Sequence, residues 1–245
     1  KFGSNIVVSY SGINGSTLKY DNESSLIYDL YKEDASQYDN DNLLKIKRIY
    51  ELIPSYMENR KKRVYFNDIA EKKGGRASQY EDEFEYLVSS GIAIDVLAIA
   101  NPTFPLIQSA QKSLLKLYLN DVGLLSYLLF RNNVSAILDD SLSINLGSLY
   151  ETVVATELLA HQHKLYYYDN KQKGEVDFLI DDFNALSVLP LEVKSGKDYT
   201  THRALNKFVS NSDYHISQAL VLSNEQKVFA EDKITYLPIY YSMFL

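Results

Sequence analysis

The sequence predicts an α/β protein in two parts: a helical N-terminal part and a C-terminal part built on a sheet. Three observations predict this. From Asn42 to Val88 apolar residues recur mostly at helical spacing, while from Lys164 to Tyr240 they gather in short β-type runs divided by turn residues. The length, 245 residues, is long for one domain and comfortable for two, and 46% hydrophobic with 23% charged residues is ordinary globular composition.

Lys1 to Asn22 is rich in Gly, Ser and Asn around Ile6-Val7-Val8 and has room for one strand. Beginning at Lys1 without methionine, the chain is expected to be the C-terminal part of something longer, with residues 1–41 as a remnant or linker. Leu26, Ile27, Leu30 and Tyr31 predict a helix between Ser24 and Tyr38, interrupted by acidic residues. A second helix opens near Asn42, with Asp41 or Asn42 as its N-cap, and Leu43, Leu44, Ile46, Ile49, Tyr50, Leu52 and Ile53 recur along it at helical spacing. Pro54 predicts a kink or a break in it.

The basic run Arg60-Lys61-Lys62-Arg63 precedes a short extended run, Val64-Tyr65-Phe66. Asn67 or Asp68 then caps a brief helix over Ile69–Lys73, Gly74-Gly75-Arg76-Ala77 turns, and a helix with Tyr80, Phe84, Leu87 and Val88 on one face stops at Ser89-Ser90-Gly91. Extended runs at Ile92–Ile99 and Leu114–Leu119 follow, joined through Asn101-Pro102-Thr103-Phe104-Pro105. Helix, short helix, helix and β-ribbon is the order of a winged helix-turn-helix, which places residues 42–131 in a winged-helix-like domain that could approach DNA. Arg60, Lys61, Lys62, Arg63, Lys72, Lys73 and Arg76 are its candidate phosphate contacts. Glu81, Asp82, Glu83 and Glu85 on the third helix oppose that reading, because carboxylates repel phosphates, and a solvated basic face is the plainer alternative.

Asp121 predicts the N-cap of a helix running through Leu129. A polar connection from Asn132 to Ser143 marks the boundary, and residues 132–245 form the second domain. Its elements are a helix from Asn145 to Ala160, a strand at Lys164–Tyr168, a hairpin between Gly174 and Lys194, a helix from Thr201 to Phe208, and strands at Ala219–Leu222 and Ile234–Tyr240.

Composition excludes several classes. With no cysteine there is no disulfide, thiolate zinc site or cysteine nucleophile. The four histidines show no metal-ligand spacing. No apolar stretch of transmembrane length and no leader occurs, so a cytoplasmic protein without a membrane partner is expected. The net charge of -7 argues against a generally DNA-coating surface but leaves local patches open.

The hairpin carries the chemistry. Asp177 in Gly174-Glu175-Val176-Asp177-Phe178, and Glu192 with Lys194 in Leu191-Glu192-Val193-Lys194, place carboxylates and an ammonium on strands that would otherwise be apolar. Such a cluster can hold a hard divalent cation through oxygen ligands and set a lysine beside a water to be activated. Glu175 shares strand parity with Asp177 and is an alternative member. An isolated Glu-x-Lys is ordinarily a cross-strand ion pair. Glu151, on the preceding helix, completes a helix–strand–strand set.

Glu151, Asp177 and Glu192-Val193-Lys194 in that order resemble the PD-(D/E)XK nuclease superfamily, with likeness to its branch similar to archaeal Holliday-junction resolvases. The resemblance narrows to the DUF4143 domain at the C-terminus of many prokaryotic AAA-type ATPases, through Tyr118–Leu125, Tyr150-Glu151, the Glu-Val-Asp-Phe and Glu-Val-Lys blocks and Leu237-Pro238. It implies an N-terminal winged-helix-like domain followed by a restriction-endonuclease-like α/β domain. It also implies catalytic residues Glu151, Asp177, Glu192 and Lys194, with Mg²⁺ or Mn²⁺ on Asp177, Glu192 and Glu151. The function implied is a nucleic-acid-associated module with a metal-dependent nuclease site. The alternative is a non-catalytic binding or regulatory module on a degenerate nuclease fold. DNA is an expected partner, an oligomer is compatible, and the ATPase domain is expected upstream. No Gly-x-x-x-x-Gly-Lys-Ser/Thr occurs, since Gly12 and Gly15 lead only to Ser16 and Thr17, so no ATP site is expected in this chain.

Overall fold

Periodicity is converted into secondary structure almost element for element. The computed structural model describes residues 25–33, 43–59, 61–70, 74–131 and 145–245. The Ile6–Val8 strand, the cap at Asp41 or Asn42, Arg60, Lys72, Lys73 and the connection 132–144 lie outside the described residues. The described residues divide into two compact units, one drawn from 1–94 and 117–152, the other from 95–116 and 153–245.

In the first unit, α1 (25–33) is followed by α2 (Leu43–Glu58), α3 (Phe66–Ala70), α4 (Glu81–Ser89) and α5 (Val122–Phe130). Ile46, Ile49, Tyr50, Ile53 and Met57 recur every three or four residues on α2 and are all buried, and α2 packs on α4 and α5. Pro54 lies inside α2 rather than ending it. Phe66 opens α3 instead of closing an extended run. Its ring packs edge-on to Phe84 at 5.9 Å and stacks with Tyr80 at 6.4 Å, so tertiary aromatic contacts favour the helical turn. Asn67 Oδ1 accepts the backbone N–H groups of Gly74 and Gly75, both at 3.0 Å, closing the turn between α3 and α4. Asp121 is the N-cap of α5, accepting from Gly123 N at 2.7 Å and Leu124 N at 3.1 Å.

The second unit is built on an eight-stranded mixed sheet of order β2-β1-β3-β4-β5-β6-β8-β7. The strands are β1 (Ala93–Ile99), β2 (Ala110–Leu119), β3 (Tyr166–Asn170), β4 (Gly174–Asp182), β5 (Ser187–Lys194), β6 (Ala219–Ser223), β7 (Phe229–Glu231) and β8 (Ile234–Pro238). The two strands expected as a wing are thus the edge of this sheet: β1 runs parallel to β3, with Leu97 opposite Tyr166. β4 and β5 form the expected antiparallel hairpin, and β5, β6 and β8 run parallel. Parallel neighbours need a crossover. Between β5 and β6 it is α7 (Arg203–Val209), which lays Leu205, Phe208 and Val209 on Tyr168, Val176, Val221 and Tyr236.

Two local features set the hairpin. Gly174 has φ +101, and a β-carbon there would come within 2.8 Å of the Ala204 Cβ, so glycine lets β4 begin tight against α7. Between β3 and β4, Tyr166 faces Leu179 but Tyr168 faces Val176, so two steps along β3 match three along β4. The extra residue makes a β-bulge at Asp177–Phe178, and bulges re-aim side chains. Helix α6 (Gly147–Ala160) carries Glu151 and links the two units in sequence.

Candidate functional site

In the second unit the hairpin brings three expected residues to one place. Phe178 opposes Leu191, so Asp177 and Glu192 occupy the next positions along their strands. Asp177 Oδ2 accepts the Val193 backbone N–H at 2.8 Å. Glu192 is buried, and its Oε1 lies 2.8 Å from the Lys194 ammonium. The i,i+2 spacing that puts Glu192 and Lys194 on one strand face makes this pair.

Glu175 has a different fate from the one parity suggests. The bulge breaks the alternation at Asp177, and Glu175 pairs instead with Lys116 on β2, Nζ to Oε1 2.5 Å. Lys116 is fully buried and its ammonium lies 4.6 Å from the centroid of the Tyr167 ring. Sequence reasoning missed Lys116. The available signal was a lone charge inside Leu114-Leu115-Lys116-Leu117, because a lysine in an apolar strand must find a carboxylate.

Glu151 belongs to the first unit, where both its carboxylate oxygens are engaged. Oε1 receives the Lys62 ammonium at 2.5 Å and Oε2 receives the Tyr118 hydroxyl at 3.0 Å. One turn earlier on α6, the Ser148 hydroxyl donates to Glu58 Oε1. Lys62, a candidate phosphate contact, is thus turned onto Glu151 and only partly exposed. The connection joins residues 89 apart in sequence, a separation that local patterns do not reveal. Of the other candidate phosphate contacts, Lys61 and Arg76 are exposed and Arg63 is partly buried. On α4, Glu81, Asp82 and Glu85 are exposed, while Glu83 is buried against Lys45 at 3.0 Å.

A hard cation takes carboxylate oxygens. Asp177 and Glu192 carry that donor chemistry. Glu151, with one oxygen on an ammonium and the other on a phenol, does not fit the part of a direct ligand as it stands. Among the described residues, no group of three or more His, Asp or Glu side chains is placed to hold an ion.

Fold and site together define a mixed α/β protein with an acidic, lysine-bearing hairpin in its sheet. A domain of unknown function, DUF8612, matches residues 14–137, half of the chain, and the chain belongs to that family. A second domain of unknown function, DUF4143, matches residues 146–241 and contains the hairpin and α7. No curated protein and no solved structure matches the chain. No helix among the described residues is long and apolar enough to cross a membrane.

Proposed function

We propose that this chain is a non-catalytic binding and regulatory module of an AAA-type ATPase, built on a nuclease-like frame that follows a winged-helix-like segment. The DUF4143 match supports the setting, since that domain is commonly a C-terminal region of such ATPases. The observation that carries the reading is the Lys62–Glu151 pair. It engages a candidate metal ligand and a candidate phosphate contact with each other. Breaking it would leave a buried carboxylate uncompensated, so the fold opposes both uses. The exposed carboxylates of α4 weigh in the same direction, because a recognition helix that presents Glu81, Asp82 and Glu85 repels a phosphate backbone.

A second reading, a metal-dependent nuclease, is favoured by the grouping of Asp177, Glu192 and Lys194 on one hairpin. In it Asp177 and Glu192 would hold Mg²⁺ or Mn²⁺, which would supply charge neutralisation for phosphodiester attack, and Lys194 would orient a water. One assay separates the two. The chain is incubated with branched, duplex and single-stranded DNA and Mg²⁺ or Mn²⁺, beside Asp177→Asn and Glu192→Ala, with metal binding followed by calorimetry. The regulatory reading expects no cleavage above the level of the variants. Metal-dependent cleavage that both substitutions abolish would overturn it and establish the nuclease.

A further inference from the structure

Helix α1, in the first unit, is seated the wrong way round for an amphipathic helix on a core. Its residues fall in i,i+4 rows, each sharing a face. Tyr28 and Lys32 form the row turned to α2: the Tyr28 ring stacks on Tyr50 at 4.8 Å, and the Lys32 ammonium pairs with Glu51. Leu26 with Leu30, and Ile27 with Tyr31, make one apolar stripe turned to solvent, its members 58%, 51%, 40% and 39% exposed. The seat on α2 is imperfect as well, because the hydroxyl of that same Tyr50 is buried with no hydrogen-bond partner among the described residues. A helix this short is marginal by itself, so its four outward apolar side chains serve neither its own stability nor its packing on α2.

We propose that this stripe docks a helix of a partner protein whose apolar face is bordered by lysine or arginine. The inference is independent of the function proposed above, since it uses neither Lys62 nor Glu151. Single exposed leucines are ordinary, whereas a contiguous apolar stripe marks an interaction site. Charge selects the occupant. Asp29 and Glu33 lie three residues beyond Leu26 and Leu30, so they border the stripe, and both are exposed. The single ammonium of α1, Lys32, is turned to Glu51. A second copy would meet the stripe with the same patch, because a two-fold interface is isologous, and antiparallel pairing then sets acidic border against acidic border. Anionic lipid surfaces and nucleic-acid phosphates are repelled likewise. A helix with a basic border gains twice, through apolar contact on the stripe and opposite charge along its edge.

The test titrates the full chain into two fluorescein-labelled helical peptides of about 18 residues, long enough to hold a helix. They share one leucine stripe and differ in its border, lysine in one and glutamate in the other. Fluorescence anisotropy is expected to rise saturably with the lysine peptide, and the glutamate peptide to bind about threefold more weakly or less, the size of a few exposed charge pairs. Leu30→Ser is expected to weaken the lysine peptide about tenfold or more, the loss of one buried leucine. Asp29→Lys leaves the stripe whole and should narrow or reverse the order of the two peptides. Both residues are exposed, so folding should be retained, and urea unfolding at the parent's midpoint checks it. No saturable binding of the lysine peptide, equal binding of the two peptides, or binding indifferent to both substitutions would overturn the proposal. So would self-association in sedimentation, or binding to phosphatidylcholine vesicles, that Leu30→Ser abolishes, because the stripe would then belong to a second copy or to lipid.

Discussion

Replacing Lys62 by alanine probes the pair on which the functional reading rests. Removing one partner of a buried ion pair costs about 3–5 kcal/mol, because the remaining charge is left desolvated. Here the side chains retain 16% exposure at Lys62 and 8% at Glu151, and Tyr118 still donates to the second carboxylate oxygen. Both features reduce the penalty, and Lys62→Ala should destabilise by about 2–3 kcal/mol. Urea unfolding with an unchanged slope measures it. Glu151→Gln removes the orphaned charge, so the double variant should be less destabilised than the sum of the single ones, with a coupling of about 1–3 kcal/mol. A Lys62→Ala protein within about 0.5 kcal/mol of the parent would refute the energetic argument. Recovery of the lost stability on adding Mg²⁺, but not in the double variant, would show the released Glu151 taking a cation and would restore the nuclease reading.

Two further outcomes follow from local physics. Burial raises the Asp95 carboxyl above the usual carboxylate range, with its own backbone N–H and Lys164 offsetting part of the rise. The fold therefore favours the protonated form, and Asp95's contribution is most favourable below its unfolded pKa, about 3.9, and is lost as pH rises through the folded value. Asp95→Asn should accordingly stabilise the protein near neutral pH, by a margin that shrinks on acidification; urea midpoints showing a pH-independent margin would contradict this. Gly174→Ala meets both a positive φ and the Ala204 side chain 2.8 Å away, and should lower stability by about 1–3 kcal/mol in thermal or urea unfolding. A neutral outcome would mean that β4 and α7 yield more easily than their packing implies.

Much of the fold was legible because burial repeats with the period of the backbone. Ile46, Ile49, Tyr50 and Ile53 announce α2, the alternating runs announce β4 and β5, and Asp121 announces its cap. Three features were not legible. β7 is three residues long, too short for a period to register. Strands β1 and β2 look locally like an independent ribbon, and their place at the edge of the large sheet depends on pairing with β3, far away in sequence. Strand parity carried Glu175 and Asp177 together, and a one-residue bulge undid it.

The candidate site divides along the same line. Sequence alone determined that Asp177, Glu192 and Lys194 would lie on one hairpin, because an antiparallel turn and a two-residue repeat leave little choice. Only tertiary structure decided what the other charges meet: Lys116 on Glu175, and Lys62 on Glu151 across 89 residues. The physical reason is that a half-buried charge takes the nearest opposite charge in space, and nearness in space is a property of packing that local sequence does not encode.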